Sequence, residues 1–147
     1  MMKNINLLIL AIAIFLTGCT SEKKSITDID TTMILDKAFN NPQIDESLSI
    51  LFTNQPLRIV KNPLLKNDYK FFKNGMPVVY TDIDSSNSKL SNWRKPKFYA
   101  NIVDFKVLSK EKATVTIIFK SSGHWILMDL TKKDEEWIIA KFEDREI

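Results

Sequence analysis

Apolar residues are spread along this chain in several distinct ways. The first is an unbroken run, Leu7 to Phe15, behind a short start that contains Lys3. After it, Thr20 to Ser25 is polar and charged with no apolar recurrence. Between residues 27 and 52 apolar positions return with helical spacing. From Leu57 the pattern turns extended, and from Phe98 it alternates with a period of two, the spacing of a half-buried sheet.

Thr27 or Asp28 is a suitable N-cap for a first helix over residues 27–40. Its stripe is Ile29, Met33, Ile34 and Phe39, with Leu35 and Ala38 beside it, and it ends near Asn40-Asn41-Pro42. Asp45 then caps a shorter helix through Phe52, with Leu48, Leu51 and Phe52 on one side, and Pro56 marks its latest end. Leu57, Ile59 and Val60 suggest a strand broken at Asn62-Pro63. Asn74-Gly75 accepts the positive backbone angles of a tight hairpin, which would pair Tyr69–Lys73 with Met76–Thr81. Pro77 has no amide to donate, so the second arm belongs at an edge. Residues 82–96 form a long polar loop, of the kind that often carries function.

The last fifty residues carry four alternating segments: Tyr99 to Val107, Ala113 to Phe119, Trp125 to Leu130 and Trp137 to Phe142. Their connections are short and polar, as antiparallel hairpins require. The fold class expected is therefore α+β: two N-terminal helices packed on a curved antiparallel sheet that ends in a four-stranded meander.

The leader has the parts of a secretory signal: a basic residue, a short apolar run and small residues before a cut site. The run is too short for a membrane-spanning helix, which needs about 20 residues. Leu16-Thr17-Gly18-Cys19 resembles the lipobox of bacterial lipoproteins. That resemblance implies a signal peptide over residues 1–18, a diacylglyceryl or palmitate-bearing Cys19 as the first mature residue, a tether through residue 26, and a single domain over 27–147. It also implies the bacterial cell envelope, with the outer membrane preferred because Thr20 is not the Asp that some bacteria read as an inner-membrane signal. Cys19 is the sole cysteine, so no intrachain disulfide can form.

Removing the leader leaves 129 residues, enough for one core. Charge is unevenly distributed. Residues 57–97 hold nine Lys and Arg against three Asp, a +6 excess, while residues 20–56 hold three Lys against six acids. Aromatics lie among those basic residues, which makes Lys70, Lys73, Trp93, Arg94 and Lys95 candidate contacts to an anionic lipid, a glycan or an envelope protein. Nucleic acid is not favoured for an exported, anchored chain.

Leu130-Thr131-Lys132-Lys133-Asp134-Glu135-Glu136-Trp137-Ile138-Ile139 resembles the closing strands of the NTF2-like superfamily, with Trp137 and Ile139 at the matching positions. A cystatin-like layout shares the same outline. The resemblance implies a cone whose mouth can hold a small molecule, and so an alternative function as a pocket protein or enzyme. The residues supply no catalytic set for it. His124 and Asp129 are five positions apart and point to opposite faces of a regular strand. No zinc site, glycine-rich phosphate loop or serine elbow is present, and Asp82 to Asn87 lacks the glycine and the terminal glutamate of a calcium loop. No catalytic residue, metal or cofactor is expected. Asp30-Thr31-Thr32 resembles the O-glycosylation acceptor of exported Bacteroidota proteins, which makes Thr31 a candidate glycan site.

Overall fold

The computed structural model describes residues 27–48, 55–82 and 98–147. Within them lie two helices and eight strands: α1 (Asp28–Phe39), α2 (Pro42–Ser47), β1 (Arg58–Val60), β2 (Phe72–Lys73), β3 (Met76–Pro77), β4 (Val79–Thr81), β5 (Tyr99–Ser109), β6 (Lys112–Phe119), β7 (His124–Lys133) and β8 (Glu136–Glu146).

Thr27 caps α1: its hydroxyl oxygen accepts from the Asp30 amide at 3.2 Å. Asp28 and Asp30 in the first turn and Lys37 in the last complement the helix dipole. The buried positions are Thr31, Ile34, Leu35, Ala38 and Phe39, a stripe of three- and four-residue steps. This corrects the stripe expected from the sequence, because Ile29 and Met33 face outward. Thr31, a small polar residue, takes the place that Ile29 was expected to fill. The second helix also begins earlier than expected. Asn41 caps it by accepting from the Gln43 amide at 3.2 Å, and Pro42 occupies the first helical position, where its missing amide costs nothing. Asp45 is inside this helix rather than at its cap, and Leu51 and Phe52 lie outside the described residues.

Six strands form one sheet in the order β4-β1-β5-β6-β7-β8. The pairs β5–β6, β6–β7 and β7–β8 are antiparallel, and they form the meander that the alternation predicts. The sheet as a whole is mixed, a correction to the antiparallel expectation, since β1 runs parallel to both β4 and β5. Parallel neighbours need a crossover, and the stretch between β1 and β4 supplies one by folding Tyr69 and Phe71 into the core on its way. The hairpin at Asn74-Gly75 forms as expected, with φ of 53° and 74°, the left-handed pair that a two-residue turn requires. Its ladder is shorter than expected. Phe72 pairs with Pro77 and Lys73 with Met76, after which Val79–Thr81 leaves to become the edge strand β4.

Register shifts between Ile102 and Asp104, Val107 and Ser109, and Asp129 and Leu130 interrupt the ladders, and such bulges bend strands and increase their twist. α1 packs on β8 and β2. One hydrophobic cluster joins Ile34, Leu35 and Phe39 of α1 to Val115, Ile117, Ile126 and Met128 of the meander. Phe39 stacks on Phe71 with ring centres 5.5 Å apart, and Phe98 stacks on Phe119 at 5.4 Å.

Candidate functional site

A concave surface lies at the end of the sheet where α1 begins. After β1 the chain turns at Asn62, whose amide donates to the Ile102 carbonyl at 2.9 Å and whose side-chain oxygen accepts from the Leu64 amide at 2.9 Å. These bonds hold Asn62 against the first half of β5 and shape the turn that follows it. Two hollows meet beneath this loop at Leu65 and Lys66. One, of about 480 Å³, is lined by Lys61, Asn62, Asn67, Asp68 and Tyr80. The other, of about 260 Å³, lies between Asp28 and Thr31 of α1, Leu64, Tyr69, and Phe105 and Val107 of β5.

Polar bonds between distant segments hold this surface in shape. Tyr69 donates its hydroxyl to Asp28 at 3.1 Å, and Asn67 donates to the same carboxylate at 3.4 Å. Burial and then the Asp28 carboxylate raise the Tyr69 phenol above its ordinary value. Tyr80 donates to the Tyr69 carbonyl at 3.0 Å, and burial pushes its phenol up strongly, with Asp68 adding to the effect. Lys61 lies 3.5 Å from both Asp68 and Asp82, and these carboxylates raise its pKa. A neighbouring node joins α1 to the β7–β8 hairpin. There Asp30 accepts from Lys132 at 3.1 Å and from the Trp137 indole at 3.3 Å. Burial acts to raise the Asp30 pKa, but bonds from Lys132, Thr27 and Trp137 outweigh it and hold the carboxyl below its ordinary range.

The residues singled out from sequence do not gather into one site. Lys70 is exposed on the stretch between Tyr69 and Phe71. Lys73 is only 2% exposed and its ammonium is paired with Asp45, so it is a buried structural charge and not the surface contact expected. The reason is non-local: Asp45 comes from α2, 28 residues earlier. Cys19, Trp93, Arg94 and Lys95 lie outside the described residues. Thr31 is 7% exposed, with its hydroxyl donating to the Thr27 carbonyl at 3.2 Å.

At the other end of the sheet, His124 Nδ1 lies 2.9 and 3.0 Å from the two oxygens of Asp144. Asp129 belongs to a different contact, accepting from Thr114 at 3.0 Å. Asp104 pairs with Lys106 at 2.7 Å, and Tyr99 is buried beneath the Arg58 guanidinium, 5.9 Å from its ring centre. The Ser121 hydroxyl nearby is buried without a partner and makes no hydrogen bond to His124, so no nucleophile–base pair is assembled. Among the described residues no group of three or more His, Cys, Asp and Glu could hold a metal ion, and no helix is long and apolar enough to cross a membrane.

Leu64, Leu65 and Lys66 were not among the candidates read from sequence. Their signal was an apolar pair followed by lysine inside a loop that opens with Asn-Pro. No family model, curated protein or solved structure matches this chain.

Proposed function

We propose that this protein is a lipid-anchored lipoprotein of the bacterial cell envelope whose folded domain is a non-catalytic binding or interaction module. The observation that carries this reading is the leader: Lys3, the apolar run Leu7 to Phe15, and Leu16-Thr17-Gly18-Cys19. Each buried methylene contributes about 0.8 kcal/mol, so the two or three acyl chains of such an anchor hold a protein stably to the bilayer. The outer membrane is the preferred site, on the residue that follows Cys19. The basic excess over residues 57–97 supports an anionic lipid, a glycan or an envelope protein as the partner. Lys70 remains available for such a contact, while Trp93, Arg94 and Lys95 enter it on their sequence alone.

The second reading is an NTF2-like pocket protein or enzyme, which the layout of α1 over a C-terminal meander favours. The buried cluster that joins Ile34, Leu35 and Phe39 of α1 to Val115, Ile117, Ile126 and Met128 supports the use of this layout as a scaffold instead.

The test is metabolic labelling with an alkyne palmitate analogue in a bacterial host, comparing the full chain with Cys19→Ala. The reading expects label and membrane association in the parent chain and neither in the variant. Equal membrane association without label would overturn it.

A further inference from the structure

Large apolar side chains are exposed at several places among the described residues, Ile147 at the far end of the sheet included, and four of them lie in segments that meet where α1 begins: Ile29 at 73%, Leu64 at 43%, Val107 at 39% and Leu108 at 65%. Ile29 is in the first turn of α1, Leu64 is in the loop after β1, and Val107 and Leu108 close β5. Leu64 and Val107 share the wall of one hollow with Asp28 of α1, which places these segments side by side. Lysines accompany them: Lys66 two residues after Leu64, and Lys110 and Lys112 after Leu108. Apolar side chains ringed by lysines fit the boundary between acyl chains and headgroups, where the apolar groups enter and the ammonium groups meet phosphate.

Chain length selects the occupant of this surface. From Cys19 to Thr27 there are eight residue steps, which reach at most about 28 Å when fully extended. An acylated Cys19 therefore keeps the start of α1 near the bilayer. β5 has 11 residues and extends about 35 Å at 3.2–3.4 Å each, so the two ends of the sheet lie at clearly different depths if it stands upright. The charge of the neighbouring hairpins sets a tilt. The β5–β6 turn carries Lys110, Glu111 and Lys112, whereas the β7–β8 turn carries Asp134, Glu135 and Glu136 after Lys132 and Lys133. An anionic surface attracts the first more than the second.

We infer that the end of the domain bearing Leu64, Val107 and Leu108 rests on the bilayer that holds the anchor, with Lys66, Lys110 and Lys112 at the level of the lipid phosphates. This rests on the lipoprotein reading. It leaves the opposite end, with His124 and Asp144, facing away from the membrane and open to partners.

The experiment uses the full lipidated chain with an environment-sensitive fluorophore on Leu108→Cys or, in a second variant, on Glu146→Cys. Both positions are exposed, and Cys19 is blocked by its lipid. The protein is reconstituted into phosphatidylethanolamine–phosphatidylglycerol vesicles with or without brominated acyl chains, and palmitate incorporation is measured on the same samples. The expected result is a blue shift and several-fold stronger bromine quenching at position 108 than at 146. Lipidated protein with equal quenching at both positions, or stronger quenching at 146, overturns the orientation and leaves the lipoprotein reading standing. A blue shift at 108 without bromine quenching assigns the patch to a second protein copy and also overturns it. Absence of palmitate overturns both readings.

Discussion

The two ends of the sheet are built differently. At the far end, Phe98 and Phe119 stack inside the core, and the polar contacts, His124 with Asp144 and Arg145 with Glu143, join residues of the neighbouring strands β7 and β8 or of β8 itself. At the end where α1 begins, directional polar bonds dominate: Thr27 to Asp30, Tyr69 and Asn67 to Asp28, and Lys132 and Trp137 to Asp30. Large apolar side chains are exposed at both ends, Val79 and Ile147 at the far one and Ile29, Leu64, Val107 and Leu108 at the near one. What differs is the surroundings: at the near end, polar bonds between segments distant in sequence fix the shape around them.

Substitutions should separate the two ends by the size of their effect. Phe119→Ala removes a fully buried ring at the far end, and its cost should be about 3–5 kcal/mol, read as a fall in denaturant midpoint with an unchanged slope. Asp30→Asn, at the near end, weakens bonds from Lys132 and Trp137 and should cost about 1–2 kcal/mol.

The same variant carries a pH signature. The folded pKa of Asp30 lies below its unfolded value of 3.8, so its stabilisation is complete above that value and is lost as pH falls through the folded one. In Asp30→Asn the acid limb of stability should be shallower below pH 3.8 than in the parent, as acid titration followed by circular dichroism would show. Lys132 has the opposite sign: its pKa is raised by Glu135 and Asp30, so its contribution is present below 10.5 and fades as pH rises past it.

Thr27→Ala removes the cap of α1 and should cost about 1 kcal/mol by the same denaturation measurement. Leu108→Ser should change stability by less than about 0.5 kcal/mol, because the side chain is mostly exposed. A large loss in that last variant would mean that Leu108 holds the fold after all, and the contrast between the ends would fail.

The far end and the meander were largely legible in the sequence, because long alternating strands state both their faces and their partners. Ala113, Val115, Ile117 and Phe119 of β6 turned inward as the alternation required, whereas in β5, where bulges interrupt the ladder, Val103 and Val107 face outward and Ala100 and Ile102 are buried in their place. The near end was less legible because it depends on partners far apart in the chain. A three-residue strand such as β1 carries too little pattern to show that it would run parallel to both neighbours. Lys73 looked like one more surface lysine until Asp45 was brought beside it. Thr31 occupies a stripe position because its hydroxyl bonds back to the helix, a role that polarity alone conceals. The cap of α2 was visible in Asn41-Pro42, but the same pair also reads as the end of α1. Leu64 and Leu65 drew no notice because an apolar pair in a loop acquires meaning only when β5 and α1 are seen beside it.

The central claim is that Cys19 is the lipidated first residue of the mature protein. Mass spectrometry of the amino-terminal peptide from membrane-extracted protein tests it most directly. A peptide beginning at Cys19 with the added mass of a diacylglyceryl group, with or without a further acyl chain on its amine, is expected. An unmodified Cys19 inside a peptide that still carries leader residues would contradict it.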